Sequence, residues 1–254
     1  MRLANKVAVI TGAGSGIGKA ASVLFAKEGA TIVVCDINED RCKGTVAAVE
    51  EAGGSASYVQ ADVSKEAEVR SAMEEVDRRH GRIDVLYANA GIFTPGDTIL
   101  TDLSEEEFDR VLGVNLKGAM WTCKHAIPLM QKSGGGAIVI TGSLAGLKAG
   151  DATAYYVSKA AVIHLARCLA RQYAQDGIRV NCICPGKVET DLLGELKQSG
   201  IKRAPPAVPI IVDGYDSRYA RPEEIAAMAL SLSCDDTSFV TGTVIPVDGG
   251  AMTR

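Results

Sequence analysis

The stretch Val7-Ala8-Val9-Ile10-Thr11-Gly12-Ala13-Gly14-Ser15-Gly16-Ile17-Gly18 decides the fold. An apolar, β-branched run stops at a glycine-rich turn, and a helical pattern begins at once. Glycine lets the backbone turn sharply and lets a pyrophosphate approach amide groups at a helix amino terminus, where the helix dipole favours negative charge. The common Gly-x-Gly-x-x-Gly spacing is absent, because position 17 is isoleucine and position 19 is lysine. Gly12-x-x-x-Gly16-x-Gly18 fits instead, with Thr11 before it and Ser15 and Ile17 inside it. Strand, tight turn and helix in immediate succession predict a dinucleotide site.

The second apolar run ends at Asp36, 18 residues after Gly18. Dinucleotide-binding folds place near this point a carboxylate that accepts hydrogen bonds from the adenosine ribose hydroxyls. A negative charge there repels a 2′-phosphate, and neither Ser15 nor Ile37 offers a cation to neutralise one. NAD is therefore expected rather than NADP.

Working outward, strand-like runs recur at 31–36, 57–61, 84–88, 137–141, 179–184 and 243–247, separated by segments of helical period. Continuous runs such as Ile32-Val33-Val34-Cys35 lack polar alternation, as strands covered by helices on both faces do. The pattern predicts a doubly wound α/β fold: a seven-stranded parallel, Rossmann-like sheet in a single domain over residues 1–254. Helices are expected over 16–28, 40–52, 65–80, 104–131, 155–175 and 222–233. Ser104 followed by Glu107 forms a capping box, and Pro222 suits a first helical position. Residues 190–217 break the regularity with Pro205, Pro206 and Pro209, and are expected to form a substrate-loop insertion.

Composition narrows the partners. A net charge of −4 from 31 acidic and 27 basic residues, without a basic block, disfavours nucleic acid and anionic membrane and favours a small molecule. Seven cysteines without a Cys-x-x-Cys pair and three scattered histidines indicate neither a disulfide framework nor a metal site. Cys182 and Cys184 share one face of a strand-like run and suit core packing. The apolar start at Lys6–Ile10 is too short for a signal peptide, so a cytoplasmic location is expected.

Tyr155 and Lys159, four apart, fall on one helical face. An ordinary tyrosine has a pKa of about 10, so roughly 0.1% is phenolate at neutral pH; lowering it by about 3 units takes about 4 kcal/mol of differential stabilisation. A neighbouring cation supplies part of that. Asn115 lies inside a predicted helix although asparagine is a poor helix former, which marks it for another purpose.

With these motifs in order, the chain resembles the short-chain dehydrogenase/reductase family of the compact type over nearly its whole length. Thr11 through Gly18 is similar to the family's cofactor turn, Asp62-Val63 to its adenine contact, and Asn89-Ala90-Gly91 to the motif near the nicotinamide half. Pro185-Gly186-Lys187-Val188-Glu189-Thr190 resembles the segment lining the nicotinamide carboxamide, and Val247-Asp248-Gly249-Gly250 the carboxyl-terminal signature. Asn115, Ser143, Tyr155 and Lys159 match its catalytic residues. Ala88 stands where the family often has a second asparagine. Ser143 and Tyr155 are 12 apart, one fewer than is usual, which makes Tyr156 a rival. Tyr155 keeps the family's spacing to Lys159.

The resemblance implies an NAD-dependent oxidoreductase interconverting a secondary alcohol and a ketone. Tyr155 would exchange the proton with the substrate oxygen while hydride passes to or from the nicotinamide. Lys159 would lower the tyrosine's pKa and hold the nicotinamide ribose, and Ser143 would bond the substrate oxygen. Asn115 would anchor a water joining Lys159 to solvent. The substrate side, above the carboxyl ends of the strands, is expected to face Phe93, Leu144 and Leu147, with Lys148, Glu189, Arg203 and Asp213 as candidates for added polarity among which the sequence does not choose. A homotetramer through the helices at 104–131 and 155–175 is implied as well. The alternative is a catalytically silent dinucleotide sensor on the same fold.

Overall fold

The computed structural model describes residues 1–190 and 219–252. Arg203, Asp213 and all of the expected substrate loop beyond Thr190 lie outside the described residues.

Strands β1 (Val7–Thr11), β2 (Thr31–Asp36), β3 (Ser55–Gln60), β4 (Val85–Ala88), β5 (Gly136–Thr141), β6 (Ile178–Pro185) and β7 (Val244–Val247) form one parallel sheet in the order β3-β2-β1-β4-β5-β6-β7. The seven-stranded, doubly wound architecture expected from the sequence is the one observed. Growth from β1 runs outward to β3, then reverses across the sheet through β4 to β7. The switch point therefore lies between β1 and β4, where Val9 is flanked by Val33 and Leu86. A crevice opens outside the carboxyl ends of the strands at such a point.

Alternation within the central strands explains why they read as unbroken apolar runs. Val7, Val9, Val33 and Cys35 face helices α3 (Glu66–His80), α5 (Gly118–Lys132) and α6 (Thr153–Gln172). Ala8, Ile10, Ile32 and Val34 face α1 (Gly16–Lys27), α2 (Glu39–Glu51) and α7 (Pro222–Ser233). Both faces are dry, so period-two polarity has no reason to appear. Each fully buried valine or isoleucine contributes about 1.5–3 kcal/mol relative to exposure.

Three elements differ from expectation by two residues or more, for identifiable reasons. The segment 104–131 is not one uniform helix: α4 (Glu105–Leu112) widens into a π-helical turn at Gly113–Lys117 before α5 begins. Helix α6 starts at Thr153 rather than Tyr155, because the loop after β4 supplies acceptors for its first amides. It ends at Gln172, and a short turn at Ala174–Asp176 closes on Gly177 in the left-handed region. β3 begins two residues early, paired as Thr31↔Ser55 by the edge of β2.

Asp84, 5% exposed, ties β4 to β1: it accepts from the Val7 N–H at 2.8 Å and from the Arg82 guanidinium. Asp84→Ala leaves that amide unpaired and should lower the unfolding free energy by about 2–3 kcal/mol, read as a fall in the urea midpoint at unchanged slope.

Candidate active site

The glycine turn sits at the amino end of α1, at the switch point. Gly12 has φ +62°, and a Cβ there would lie 2.8 Å from the Ala90 Cα. At Gly18 a Cβ would lie 2.2 Å from the Gly12 carbonyl oxygen, so the turn folds over a helix start that admits no side chain. Ser15 is the N-cap of α1 without a side-chain bond into the helix, which leaves the first-turn N–H groups for an anion. Thr190 reaches this turn from the far side of the sheet, its methyl 3.0 Å from the position of a Gly16 Cβ. These features fit the pyrophosphate of a dinucleotide.

Asp36 ends β2 with both oxygens engaged: Oδ2 accepts from the Gly14 N–H at 2.9 Å and Oδ1 from the Asn38 N–H at 3.0 Å. It thus shapes the turn, and a carboxylate oxygen's second lone pair leaves acceptor capacity for ribose hydroxyls. Ile37 beside it is 61% exposed. Asp62 accepts from the backbone and hydroxyl of Ser64, while Val63 is buried against Gly118 of α5.

Thr11 locks β1 to β4. Its hydroxyl accepts the Asn89 N–H at 3.0 Å and the Ala90 N–H at 3.2 Å, and Asn89 Nδ2 donates to the Thr11 carbonyl at 3.1 Å. Thr141 at the end of β5 continues the chain, its Oγ1 lying 3.1 Å from Asn89 Oδ1. Across the crevice, Gly186 donates to the Val247 carbonyl and packs on Asp248, and Val188 bridges to Ala220. Pro185 closes β6.

Of the four residues matched to catalytic positions, Lys159 and Asn115 meet beside Gly91 and Tyr155 lies next to Lys159, while Ser143 stands just beyond the end of β5. A Cβ at Gly91 would lie 3.2 Å from Lys159 Nζ and 3.3 Å from Asn115 Oδ1. Lys159 Nζ donates to the Thr141 carbonyl at 3.0 Å and stands 5.7 Å from the centre of the Tyr155 ring. Asn115, within the π-helical turn, spends its side chain on structure: Oδ1 accepts the Ile92 N–H at 2.7 Å, and Nδ2 donates to the Ile92 carbonyl and to Ser158 Oγ. Ser143 Oγ accepts the Ala145 N–H at 3.1 Å. Phe93 packs edge-on against Tyr155 with ring centres 5.0 Å apart. Tyr156 stands edge-on to Tyr155 with ring centres 6.4 Å apart and lies over Gly150, where a Cβ would fall 2.2 Å from its phenol oxygen.

Sequence reasoning missed three residues that hold these groups. Thr141 receives Lys159, Ser158 links Asn115 to the Tyr155 carbonyl at 2.8 Å, and Asp97 accepts from the Ala154 and Tyr155 amides at 2.9 and 2.7 Å. Burial holds the Asp97 carboxyl above its ordinary range, against the lowering effect of the two amides. The one signal for Asp97 was negative: Ala152, at the N-cap of α6, has no side-chain acceptor.

The family model described as Enoyl-(Acyl carrier protein) reductase matches residues 12–252. An uncharacterized oxidoreductase of Thermotoga maritima is 40% identical over 258 residues, 99% of either chain. The meso-2,3-butanediol dehydrogenase of Serratia marcescens is 38% identical over 257 residues, 99% of this chain and 96% of that one. The crystal structure of carveol dehydrogenase from Mycobacterium avium in complex with NAD aligns with a TM-score of 0.89 at 28% identity, over 100% of this chain and 99% of that one. Fold and site had defined a doubly wound α/β protein with a dinucleotide-type turn. The chain belongs to the short-chain dehydrogenase/reductase family, and it is an oxidoreductase of that family.

Lys159 is 4% exposed, and burial pushes its ammonium down from 10.5 to about 8, with the thiols of Cys182 and Cys184 acting the other way. Its folded pKa lies below the unfolded one, so the folded state binds fewer protons between about pH 8 and 10.5, and stability from this group rises with pH across that window. Below it the buried charge costs about 3 kcal/mol. Lys159→Met should raise the unfolding free energy of the ligand-free protein at pH 7 by about 1–3 kcal/mol and flatten its rise toward pH 10, measured by urea unfolding.

Proposed function

We propose that this protein interconverts a secondary alcohol and a ketone with NAD as the hydride partner, using Tyr155 as acid and base. The observation that supports the reading is the grouping of Lys159 and Asn115 at Gly91 with Tyr155 beside Lys159, at the carboxyl ends of β4 and β5, where Ser143 follows β5. NAD, when bound, supplies the ring that takes up or returns hydride. In oxidation the Tyr155 phenolate removes the proton from the alcohol oxygen, and in reduction the phenol returns it. The Lys159 ammonium favours the phenolate, and its burial strengthens that effect by lowering the local dielectric. Because Ser143 Oγ already accepts an N–H from Ala145, its own proton is free to be donated to the substrate oxygen. A single water beside Gly91 would bond both Lys159 and Asn115 and pass the proton onward.

The cofactor is held, on this reading, by Gly12, Ser15, Gly16, Ile17 and Gly18 at the pyrophosphate, Asp36 and Ile37 at the ribose, and Asp62 and Val63 at the adenine. Asn89, Ala90, Gly91, Tyr155, Lys159, Pro185, Gly186, Val188 and Thr190 surround the nicotinamide half. Support for NAD comes from the free lone pairs of Asp36 and from the NAD complex of the carveol dehydrogenase. Support for the substrate class comes from the Serratia marcescens relative, named for a diol with two secondary alcohols. The wall formed by Phe93 and Leu144 is apolar and buried. The reading includes a cytoplasmic homotetramer joined through α5 and α6, which carry the exposed apolar Met120 and Val157. Among the described residues no helix is long and apolar enough to cross a membrane.

The test is absorbance of reduced nicotinamide with a panel of secondary alcohols and ketones, 2,3-butanediol and cyclohexanol among them. Tyr155→Phe is expected to cut turnover at least about 1,000-fold while leaving NAD affinity within about twofold. Undiminished turnover in that variant would sink the assignment. Wild-type binding of NAD without turnover on any alcohol or ketone would favour the silent sensor. Asp36→Ala should reduce the preference for NAD over NADP, as a ratio of kcat/KM values, by about 10-fold or more. A wild-type enzyme that prefers NADP contradicts the role given to Asp36.

A further inference from the structure

We propose that Asp97 is a positioning residue for Tyr155: through the two amides it holds, it fixes the first turn of α6 and with it the approach of the phenol to the substrate oxygen. The inference rests on the assignment of Tyr155 as acid and base.

An α-helix begins with amides that have no intrahelical partner. In α6 the cap residue Ala152 supplies no side-chain acceptor, and the first intrahelical bond runs from the Tyr156 N–H to the Ala152 carbonyl. The preceding amides are all satisfied from one distant loop: Thr153 donates to the Thr98 carbonyl at 3.1 Å, Ala154 to Asp97 Oδ1 and Tyr155 to Asp97 Oδ2. Tyr155 is thus held at its own backbone, in the turn where a carboxylate also gains from the helix dipole. Asp97 is 4% exposed, so water does not compete for these bonds. Glu107 of α4 is the like charge that faces it.

That loop is itself fixed at its other end. Asn115 grips Ile92 by both its N–H and its carbonyl, and the next residue, Phe93, packs its ring on the ring of Tyr155. The stretch from Gly91 to Thr98 therefore touches the tyrosine twice, at the ring and at the amide. Cutting the amide contact frees the backbone that sets where the ring stands between Phe93 and Lys159. An ordinary stabilising cap would sit anywhere along a helix start; this one bonds the amide of the reacting side chain.

Asp97→Ala should lower kcat for 2,3-butanediol oxidation on the order of 10- to 100-fold through misplacement of the phenol, with NAD affinity by titration calorimetry within about twofold of wild type. Asp97→Asn, matched in size, keeps one acceptor and should lose less. Amide exchange by mass spectrometry should quicken at residues 153–156 and not in the adenosine half. Asp84→Ala, a comparable loss of a buried carboxylate at the end of β4 opposite Gly91, calibrates stability alone and should leave kcat unchanged. Turnover of both Asp97 variants within twofold of wild type overturns the proposal, as does a parallel fall of turnover and NAD affinity. If wild type turns over no member of the alcohol panel, the assignment of Tyr155 fails; unchanged exchange at 153–156 in Asp97→Ala then refutes the anchoring separately.

Discussion

The hydroxyl of Thr11 accepts two amides at once, those of Asn89 and Ala90, and the site depends on that junction. The ladder between β1 and β4 ends at Ile10↔Tyr87, just where the sheet reverses its direction of growth. Beyond it no strand pairing holds the two chain ends at a fixed separation. Thr11 and Asn89 supply the missing bonds with side chains, and Thr141 extends them to β5. Because Lys159 then donates to the Thr141 carbonyl, the glycine turn and the α6 face belong to one continuous network of hydrogen bonds. A buried polar network of this kind is stabilising when every member is satisfied.

The same network explains how a lysine can remain inside the molecule. Its ammonium donates to a neutral carbonyl, and among the described residues no carboxylate compensates the loss of water. The fold tolerates the cost because the surrounding strands bury apolar side chains on both faces. Structure alone gives no reason to place a charge there, whereas the proposed proton transfer at Tyr155 would supply one. A buried cation without a counterion is destabilising whatever its role, and burial lowers the Lys159 pKa accordingly.

How much could be read in advance follows from where each partner lies along the chain. The seven strands were legible because covering both faces of a sheet forces continuous apolar runs, and the turn at Gly12–Gly18 was legible because all of its constraints are local. Asn115 announced itself as a poor helix former, although nothing in its neighbours announced the π-helical turn that contains it. Thr141, Ser158 and Asp97 were not legible. Asp97 acts on backbone amides 58 residues away, Thr141 receives Lys159 through its own carbonyl and Ser158 joins Tyr155 to a side chain 43 residues away, and such contacts leave no spacing pattern. Asp36 was read for its charge, yet it also builds the turn, because the bond to the Gly14 amide appears only once β1 and β2 lie side by side.

The short connection between Ser143 and Tyr155 shows how the missing residue is absorbed. Ser143 opens a single tight turn, Leu144–Gly146, whose start is closed by its own hydroxyl on the Ala145 amide. At the other end the chain needs no cap residue before α6, since Asp97 and Thr98 satisfy the helix from outside. The remaining length must pass directly over α6, and it meets Tyr156 at Gly150, where any side chain would collide with the phenol. Tyr156 is thereby packed under the connection while Tyr155, one residue earlier, faces Phe93 and Lys159. Neighbouring residues on a helix point about 100° apart, so filling one position with loop packing fixes the other toward the crevice. The short connection thus packs Tyr156 against Gly150 and leaves Tyr155 beside Phe93 and Lys159.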